Sequence, residues 1–249
     1  MTLLTDFGLT DSYVAQMKAV LIRSCPEARL IDVTHQVPRH DVLCGSITLE
    51  RAVDGFPPGT VHLAVVDPGV GSDRRLLIAR VNEQLIVAPD NGLITWSWRM
   101  HGGDDTFELT WRPKQTPSQT FHGRDILAPV AAQLACGTLP SELGRLIDDP
   151  ILLDVAPVPK LATQGQIIHL DHFGNATTNI PVNALGPKPQ ATVHVNRRAI
   201  GKLRKTYWDV APGKPLALIG SSGLLEIAVR DGSAKDELNV RVGDAVALR

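Results

Sequence analysis

An alternation governs what this chain can become. Short runs rich in aliphatic and β-branched residues, at 1–4, 30–33, 61–66, 76–81 and 84–88, take turns with segments carrying apolar residues at helical spacing, at 11–24 and 41–53. A pattern of this kind implies an α/β fold, with a largely parallel sheet flanked by helices. Asp11 and Asp41 stand where they would cap the two helices. A third helix is expected over 124–136, apolar on nearly every side, with Pro129 in its first turns and Gly137 at its end.

The texture changes around Pro150, Pro157 and Pro159, beyond which no long helical period occurs. The division expected is an α/β domain over 1–154 and an all-β domain over 155–249. Short strands at 166–170, 192–196, 216–219, 225–229 and 240–248, separated by Gly and Asn turns, imply a small β-barrel or sandwich for the second. Arg197, Arg198, Lys202, Arg204 and Lys205 cluster there and read as a solvated hairpin. A surface that stacks nucleic-acid bases would need a row of aromatics, and this half offers Phe173, Tyr207 and Trp208.

With 25 basic against 26 acidic side chains the formal charge is −1, so no net field draws nucleic acid or anionic lipid, and neither is an expected partner. No apolar run reaches the roughly 18 residues of a membrane helix. The opening Met1–Asp6 has neither a basic region nor a cleavage site, and a cytoplasmic location is expected. Cys25, Cys44 and Cys136 are far apart, without a C-x-x-C pair, and are expected as core thiols in a reducing compartment.

Ligands of open α/β sheets bind beyond the carboxyl ends of strands, which directs attention to three loops. The first, Thr5-Asp6-Phe7-Gly8-Leu9-Thr10-Asp11, holds two carboxylates; capping accounts for Asp11 and a turn for Gly8, leaving Asp6 and Phe7 unexplained. The second, Asp67-Pro68-Gly69-Val70-Gly71-Ser72-Asp73-Arg74-Arg75, turns tightly but matches neither nucleotide-phosphate pattern. The third is Phe121-His122-Gly123-Arg124-Asp125. Arg74 can fold back onto Asp67, and His122 can share a proton near neutral pH. From spacing alone these three read equally well as a device that polarises water or as a buried ion pair beside a histidine. A metal site from Asp6, Asp67, Asp90 and His122 is a weaker reading, since neither H-E-x-x-H nor D-x-[DN]-x-[DN]-G occurs. Gly220-Ser221-Ser222-Gly223 fails as a nucleophile elbow, because Leu224 stands where glycine is required.

The motifs T-D-F-G (Thr5–Gly8), V-V-D-P-G-V-G (Val65–Gly71), P-D-N-G (Pro89–Gly92), F-H-G-R-D (Phe121–Asp125), D-H-F-G-N (Asp171–Asn175), T-N-I (Thr178–Ile180) and S-S-G-L-L-E-I-A (Ser221–Ala228) occur in order along the chain. Together they resemble the S-adenosyl-L-methionine hydroxide adenosyltransferases, the water-using relatives of fluorinating and chlorinating enzymes. The resemblance implies hydrolysis of S-adenosyl-L-methionine to adenosine and methionine, without metal or redox cofactor. It also implies a homotrimer whose sites lie between the N-terminal domain of one subunit and the C-terminal domain of the next. Asp67, Arg74 and His122 coincide with the water-handling residues. By the same resemblance Asp6 holds the ribose hydroxyls beside Phe7, and Asp11 and Asp171 lie near the methionine amino group. Phe173 and Tyr207 sandwich the adenine beside Asn175, Ser221 and Ser222 meet the methionine carboxylate, and backbone from Arg230 to Ala234 reads the adenine edge. The halide-using relatives carry an aromatic hydroxyl at the place of Asp67, a different loop around His122 and Gly123, and a small hydroxyl side chain at the place of Tyr13. A carboxylate beside the reaction axis repels a halide anion, which favours water. The alternatives are a halide transferase on the same substrate and a non-catalytic module that binds it.

Overall fold

The computed structural model describes residues 1–185 and 191–249. They pack as two compact units, Met1–Asp154 and Val155–Arg249. The first runs β1 (Thr2–Thr5), α1 (Tyr13–Ser24), β2 (Ile31–Thr34), α2 (Val42–Gly55), β3 (Val61–Val65), β4 (Leu76–Val81), β5 (Gln84–Pro89), α3 (Thr95–His101) and β6 (Gly103–Leu109). A π-helical turn (Gly123–Leu127), α4 (Ala128–Ala135), α5 (Pro140–Leu143) and β7 (Gly144–Ile147) complete it.

Its seven strands lie in the order β2-β1-β3-β5-β4-β6-β7. The pairings β2–β1, β1–β3 and β3–β5 are parallel, whereas β5–β4, β4–β6 and β6–β7 are antiparallel. The sheet is therefore mixed, its parallel half carrying the alternation visible in the sequence. Leu63 and Val65 face a core shared with Met17 and Leu21 of α1 and Val130 and Leu134 of α4. Ala64 and Val66 point the other way, into a core with Leu49 and Val53 of α2 and Trp98 of α3. Covering on both faces explains why β3 is apolar at nearly every position.

Asp41 caps α2 by accepting from the Cys44 N–H at 2.9 Å. Asp11 does not cap α1: the helix starts one residue later, with Ser12 at its N-cap and no side-chain cap bond. The helix expected over 124–136 opens instead as the π turn and becomes α-helical at Ala128, with Pro129 in the first turn of the α-helical part. The cysteine reading is corrected more strongly. Cys25 and Cys136 form a disulfide that ties the C-cap of α1 to that of α4, and Cys44 stays outside it. Such a bond persists in oxidising surroundings, so the cysteines do not argue for a reducing compartment.

The second unit is a closed barrel of β8 (Gln164–Leu170), β9 (Ala176–Pro181), β10 (Thr192–Val195), β11 (Arg198–Arg204), β12 (Pro215–Ile219), β13 (Leu224–Val229) and β14 (Ala245–Leu248), with a short helix α6 (Ala234–Glu237). The order around it is β10-β11-β12-β13-β9-β8-β14. The basic cluster does fall on a hairpin, β10–β11, turning at Asn196 and Arg197 in the left-handed region. β9 was hidden by its composition: Thr177, Thr178 and Asn179 look like turn residues yet are buried. Asn179 is satisfied there, accepting from the Gln166 N–H at 2.7 Å and donating to the Ala156 carbonyl at 2.9 Å. The last strand is shorter than expected, because 241–244 makes a turn closed by Asp244 on the Arg241 N–H.

Among the described residues no helix is long and apolar enough to cross a membrane.

Candidate functional site

Two side-chain constellations stand out, one in each unit. In the α/β unit, β3 delivers the chain into the glycine loop that starts after Val66. Val70 N–H donates to the Asp67 carbonyl at 3.2 Å, Ser72 N–H and hydroxyl to the Gly69 carbonyl at 3.1 and 2.7 Å, and Arg74 N–H to the Ser72 hydroxyl at 3.3 Å. Gly71 sits at φ +84°, and a side chain there would meet the Gln119 carbonyl. Only glycine lets the loop double back at that point, and the doubling back brings Arg74 onto Asp67.

Arg74 Nε donates to Asp67 Oδ1 at 2.6 Å, and a second guanidinium nitrogen donates to Oδ2, a bidentate pair. The two side chains are only 10% and 5% exposed. The outer nitrogens of the same guanidinium lie 3.2 Å from His122 Nδ1. A guanidinium can only donate, so Nδ1 is an acceptor and the neutral ring carries its proton on Nε2. Burial, then the Arg74 and Arg112 cations, hold His122 below the ordinary histidine value, against the opposing pull of Asp67 and Asp125. Asp67, Arg74 and His122 are thus brought together, with Arg74 in the middle.

The F-H-G-R-D motif braces His122. Arg124 donates to both oxygens of Asp125 and to Gln16 Oε1 of α1 at 2.7 Å, while Asp125 accepts from the Ser118 N–H at 2.8 Å. Phe121 makes edge contacts with Phe7 at 5.9 Å and Tyr13 at 5.4 Å between centroids, and Phe7 meets Tyr13 at 5.9 Å. Tyr13 and Phe121 are residues of this aromatic wall that the loop motifs did not assign; an apolar residue just before or after a loop carries no signal of its facing. Asp6 Oδ2 accepts from the His40 N–H at 2.8 Å. The Phe7 N–H donates to Thr5 Oγ1 at 3.2 Å, and Thr5 in turn bonds to buried His35. Asp11 is exposed at the foot of α1.

In the barrel unit, Asp171 organises its own motif: Oδ1 accepts from the N–H groups of Phe173 and Asn175 at 2.9 and 2.8 Å, and Oδ2 from Asn175 Nδ2 at 3.1 Å. Gly174, at φ +82°, leaves no room for a Cβ against Ser233, and its carbonyl accepts from the Lys235 N–H at 2.9 Å. That docks the turn onto 233–235 and leaves Phe173 75% exposed. Phe173, Asn175, Tyr207, Trp208, Arg230 and Gly232 line an open groove of about 540 Å³. Tyr207 donates to Glu226 Oε1 at 2.6 Å; burial and the Glu226 and Asp171 carboxylates hold its phenol well above the ordinary range. Glu226 was not foreseen, since a glutamate within a strand signals nothing by itself. Trp208 carries the Arg230 guanidinium 3.9 Å above its ring.

Ser221 and Ser222 form the β12–β13 turn, closed by the Gly223 N–H on the Gly220 carbonyl at 3.0 Å, with no helix following. They are not among the residues lining the groove. Ala234 is buried in the barrel core, so the Arg230–Ala234 segment offers the groove Arg230, Asp231 and Gly232, while the Ala234 side chain faces inward. Asp6, Asp67, Asp90 and His122 do not form a cluster: Asp90 is engaged by Arg75, and no group of three or more His, Cys, Asp or Glu among the described residues is placed to hold a metal ion.

Residues 1–144 match the SAM hydroxide adenosyltransferase N-terminal domain, and 165–247 the corresponding C-terminal domain. The chain is 40% identical to the (R)-S-adenosyl-L-methionine hydrolase of Salinispora tropica, over 98% of this chain and 95% of that protein. It is 37% identical to the enzyme of the same name from Thermus thermophilus, over 98% and 97%. A crystal structure of an uncharacterized conserved protein from Thermotoga maritima superimposes with a TM-score of 0.93 at 38% identity, covering 100% of this chain and 99% of that one. With both domains matched and full-length relatives above 30% identity, the chain belongs to the SAM hydroxide adenosyltransferase family.

Proposed function

We propose that this protein hydrolyses S-adenosyl-L-methionine to adenosine and L-methionine, by in-line attack of a water held at Asp67 on the ribose 5′ carbon. The observation that carries this reading is the locked order Asp67–Arg74–His122. With Nδ1 occupied by Arg74, His122 presents Nε2–H to the water oxygen and fixes its direction. Each Asp67 oxygen keeps a lone pair beyond those used by Arg74, so the carboxylate receives the proton as the carbon–oxygen bond forms. The carbon–sulfur bond breaks toward sulfur, the pair of electrons leaving as a neutral thioether, and no acid is needed for departure. Proton acceptance of this kind is worth ~10²–10⁴ in rate, and fixed in-line geometry contributes up to about 7–11 kcal/mol.

In this proposal Asp6 and Phe7 receive the ribose, Asp11, Asp171, Ser221 and Ser222 the methionine end, and Phe173, Asn175, Tyr207 and the Arg230–Ala234 backbone the adenine. The exposed Phe173 ring and the groove beside it support an aromatic, planar guest. The protein is proposed to be a homotrimer, each site completed by a neighbouring copy. The names of the relatives specify the R sulfonium epimer, and the same preference is proposed here.

Incubation with the separated R and S epimers in ¹⁸O-labelled water, with and without chloride, tests the reading. Labelled adenosine from the R epimer, independent of chloride, is the expected result. A 5′-chlorinated nucleoside would replace hydrolysis by halide transfer, and tight retention of unreacted substrate would make the protein a binding module.

A further inference from the structure

The P-D-N-G motif, Pro89–Gly92, carries no part of the reaction just described, yet it ends the strand next to the catalytic loop. β5 lies between β3 and β4 in the sheet, parallel to the first and antiparallel to the second. Its carboxyl end is therefore flanked by both ends of the Asp67–Arg74 loop: the exit of β3 on one side and the entry of β4, where Leu76 pairs with Pro89, on the other. Two consecutive side chains use that position. Asn91 Nδ2 donates to the Val66 carbonyl at 2.8 Å, one residue before Asp67. Asp90, whose side chain is 0% exposed, accepts from Arg75 Nε at 2.8 Å and a second Arg75 nitrogen at 2.7 Å, one residue after Arg74. The Asp90 N–H also donates to the Arg75 carbonyl at 3.0 Å, and its free oxygen accepts from the Ile151 N–H at 2.8 Å.

We infer that Asp90 and Asn91 are positioning residues for hydrolysis, gripping the catalytic loop at both ends so that Asp67 and Arg74 meet in register. The inference rests on the proposed function. The loop's own hydrogen bonds close its turn, from Asp67 to Arg74, but do not tie its two ends to the sheet, and a carboxylate that aims one water tolerates little drift. Arg74 and Arg75 are adjacent yet point to different carboxylates, Arg74 to Asp67 and Arg75 to buried Asp90, with the outer nitrogens of Arg75 also donating to the exposed Asp149 at 2.8 and 2.7 Å. Fixing Arg75 on Asp90 thus sets the backbone from which Arg74 reaches Asp67.

Asn91→Asp keeps the oxygen that accepts from the Leu93 N–H at 3.2 Å but removes the donor to Val66. A double-mutant cycle with Asp67→Ala, reading kcat and KM separately for adenosine release, tests the inference. Asn91→Asp is expected to lower kcat about tenfold or more in the wild-type background, with KM within about twofold, and to cost less than about twofold once Asp67 is gone. Equal losses in both backgrounds, or an unchanged kcat, would overturn it, because a merely structural bond weakens both proteins alike. If Asn91→Asp does not fold, Asn91→Ser and Asp90→Asn enter the same cycle and are judged by the same two outcomes. Wild-type protein that releases no adenosine would instead sink the proposed hydrolysis, and that result is visible before any variant is made.

Discussion

Arg74 divides one guanidinium between a carboxylate and an imidazole, and that division sets the chemistry each can perform. The pairing with Asp67 was legible in the sequence, since an arginine seven residues further on, across a glycine turn, can fold back. The position of Arg74 between the two other groups was not legible, because His122 lies 48 residues further on and its nitrogen is chosen by packing. Asp67→Ala is expected to cut kcat by at least about a hundredfold with substrate affinity nearly intact, measured by single-turnover kinetics beside equilibrium binding. Burial and the Arg74 cation hold His122 below the ordinary histidine value, so the neutral ring is favoured, and protonation at Nδ1 sets two cations against each other. The acid limb of the kcat profile should accordingly fall below the ordinary histidine value of about 6.5. A limb at or above it would remove the neutral imidazole from the mechanism.

Elements set where these side chains stand, and strands buried on both faces do so rigidly. A polar thread crosses β1, β3 and β5: Thr2 Oγ1 to His62 Nδ1 at 2.7 Å, His62 Nε2 to Gln84 Oε1 at 2.7 Å, and Gln84 Nε2 to the Val53 carbonyl at 2.6 Å. His62 is 0% exposed, and burial lowers its pKa from the model-compound value. A depressed histidine costs nothing above the unfolded value of about 6.5; as pH falls below it, the unfolded chain takes up a proton that the fold refuses. Each pH unit lost then removes up to about 1.4 kcal/mol, until the folded value is reached. Denaturant midpoints between pH 7 and 5 should fall accordingly, and His62→Gln should flatten the slope; an equal slope in the variant would assign the effect elsewhere. The sequence disclosed β3 as a strand because four of its five residues, Val61, Leu63, Ala64 and Val65, are apolar, but concealed β9, where buried Asn179 is satisfied by the backbone of Gln166 and Ala156. Local composition reports burial only when the buried groups are apolar.

At the scale of the whole molecule, each unit carries its own constellation: the Asp67–Arg74–His122 trio and the Phe7, Tyr13 and Phe121 rings in one, an open groove with an exposed Phe173 in the other. The proposed homotrimer predicts a solution mass of about three times 26.9 kDa by light scattering, and a specific activity that falls on dilution as copies separate. Full activity from a monomer would remove the neighbouring copy from the site. What the amino-acid order determined by itself was local: the period of most helices and strands, the turns that need glycine, the change of texture before the barrel, and the motifs that carry the family. What tertiary structure decided was which distant groups meet: His122 on Arg74, Asn91 on Val66, Cys25 on Cys136, and Asp11 left outside the cap it was expected to form. The reason is physical. Propensity and period act over a few residues, whereas the partner of a buried polar group is chosen by whichever element the sheet order places beside it.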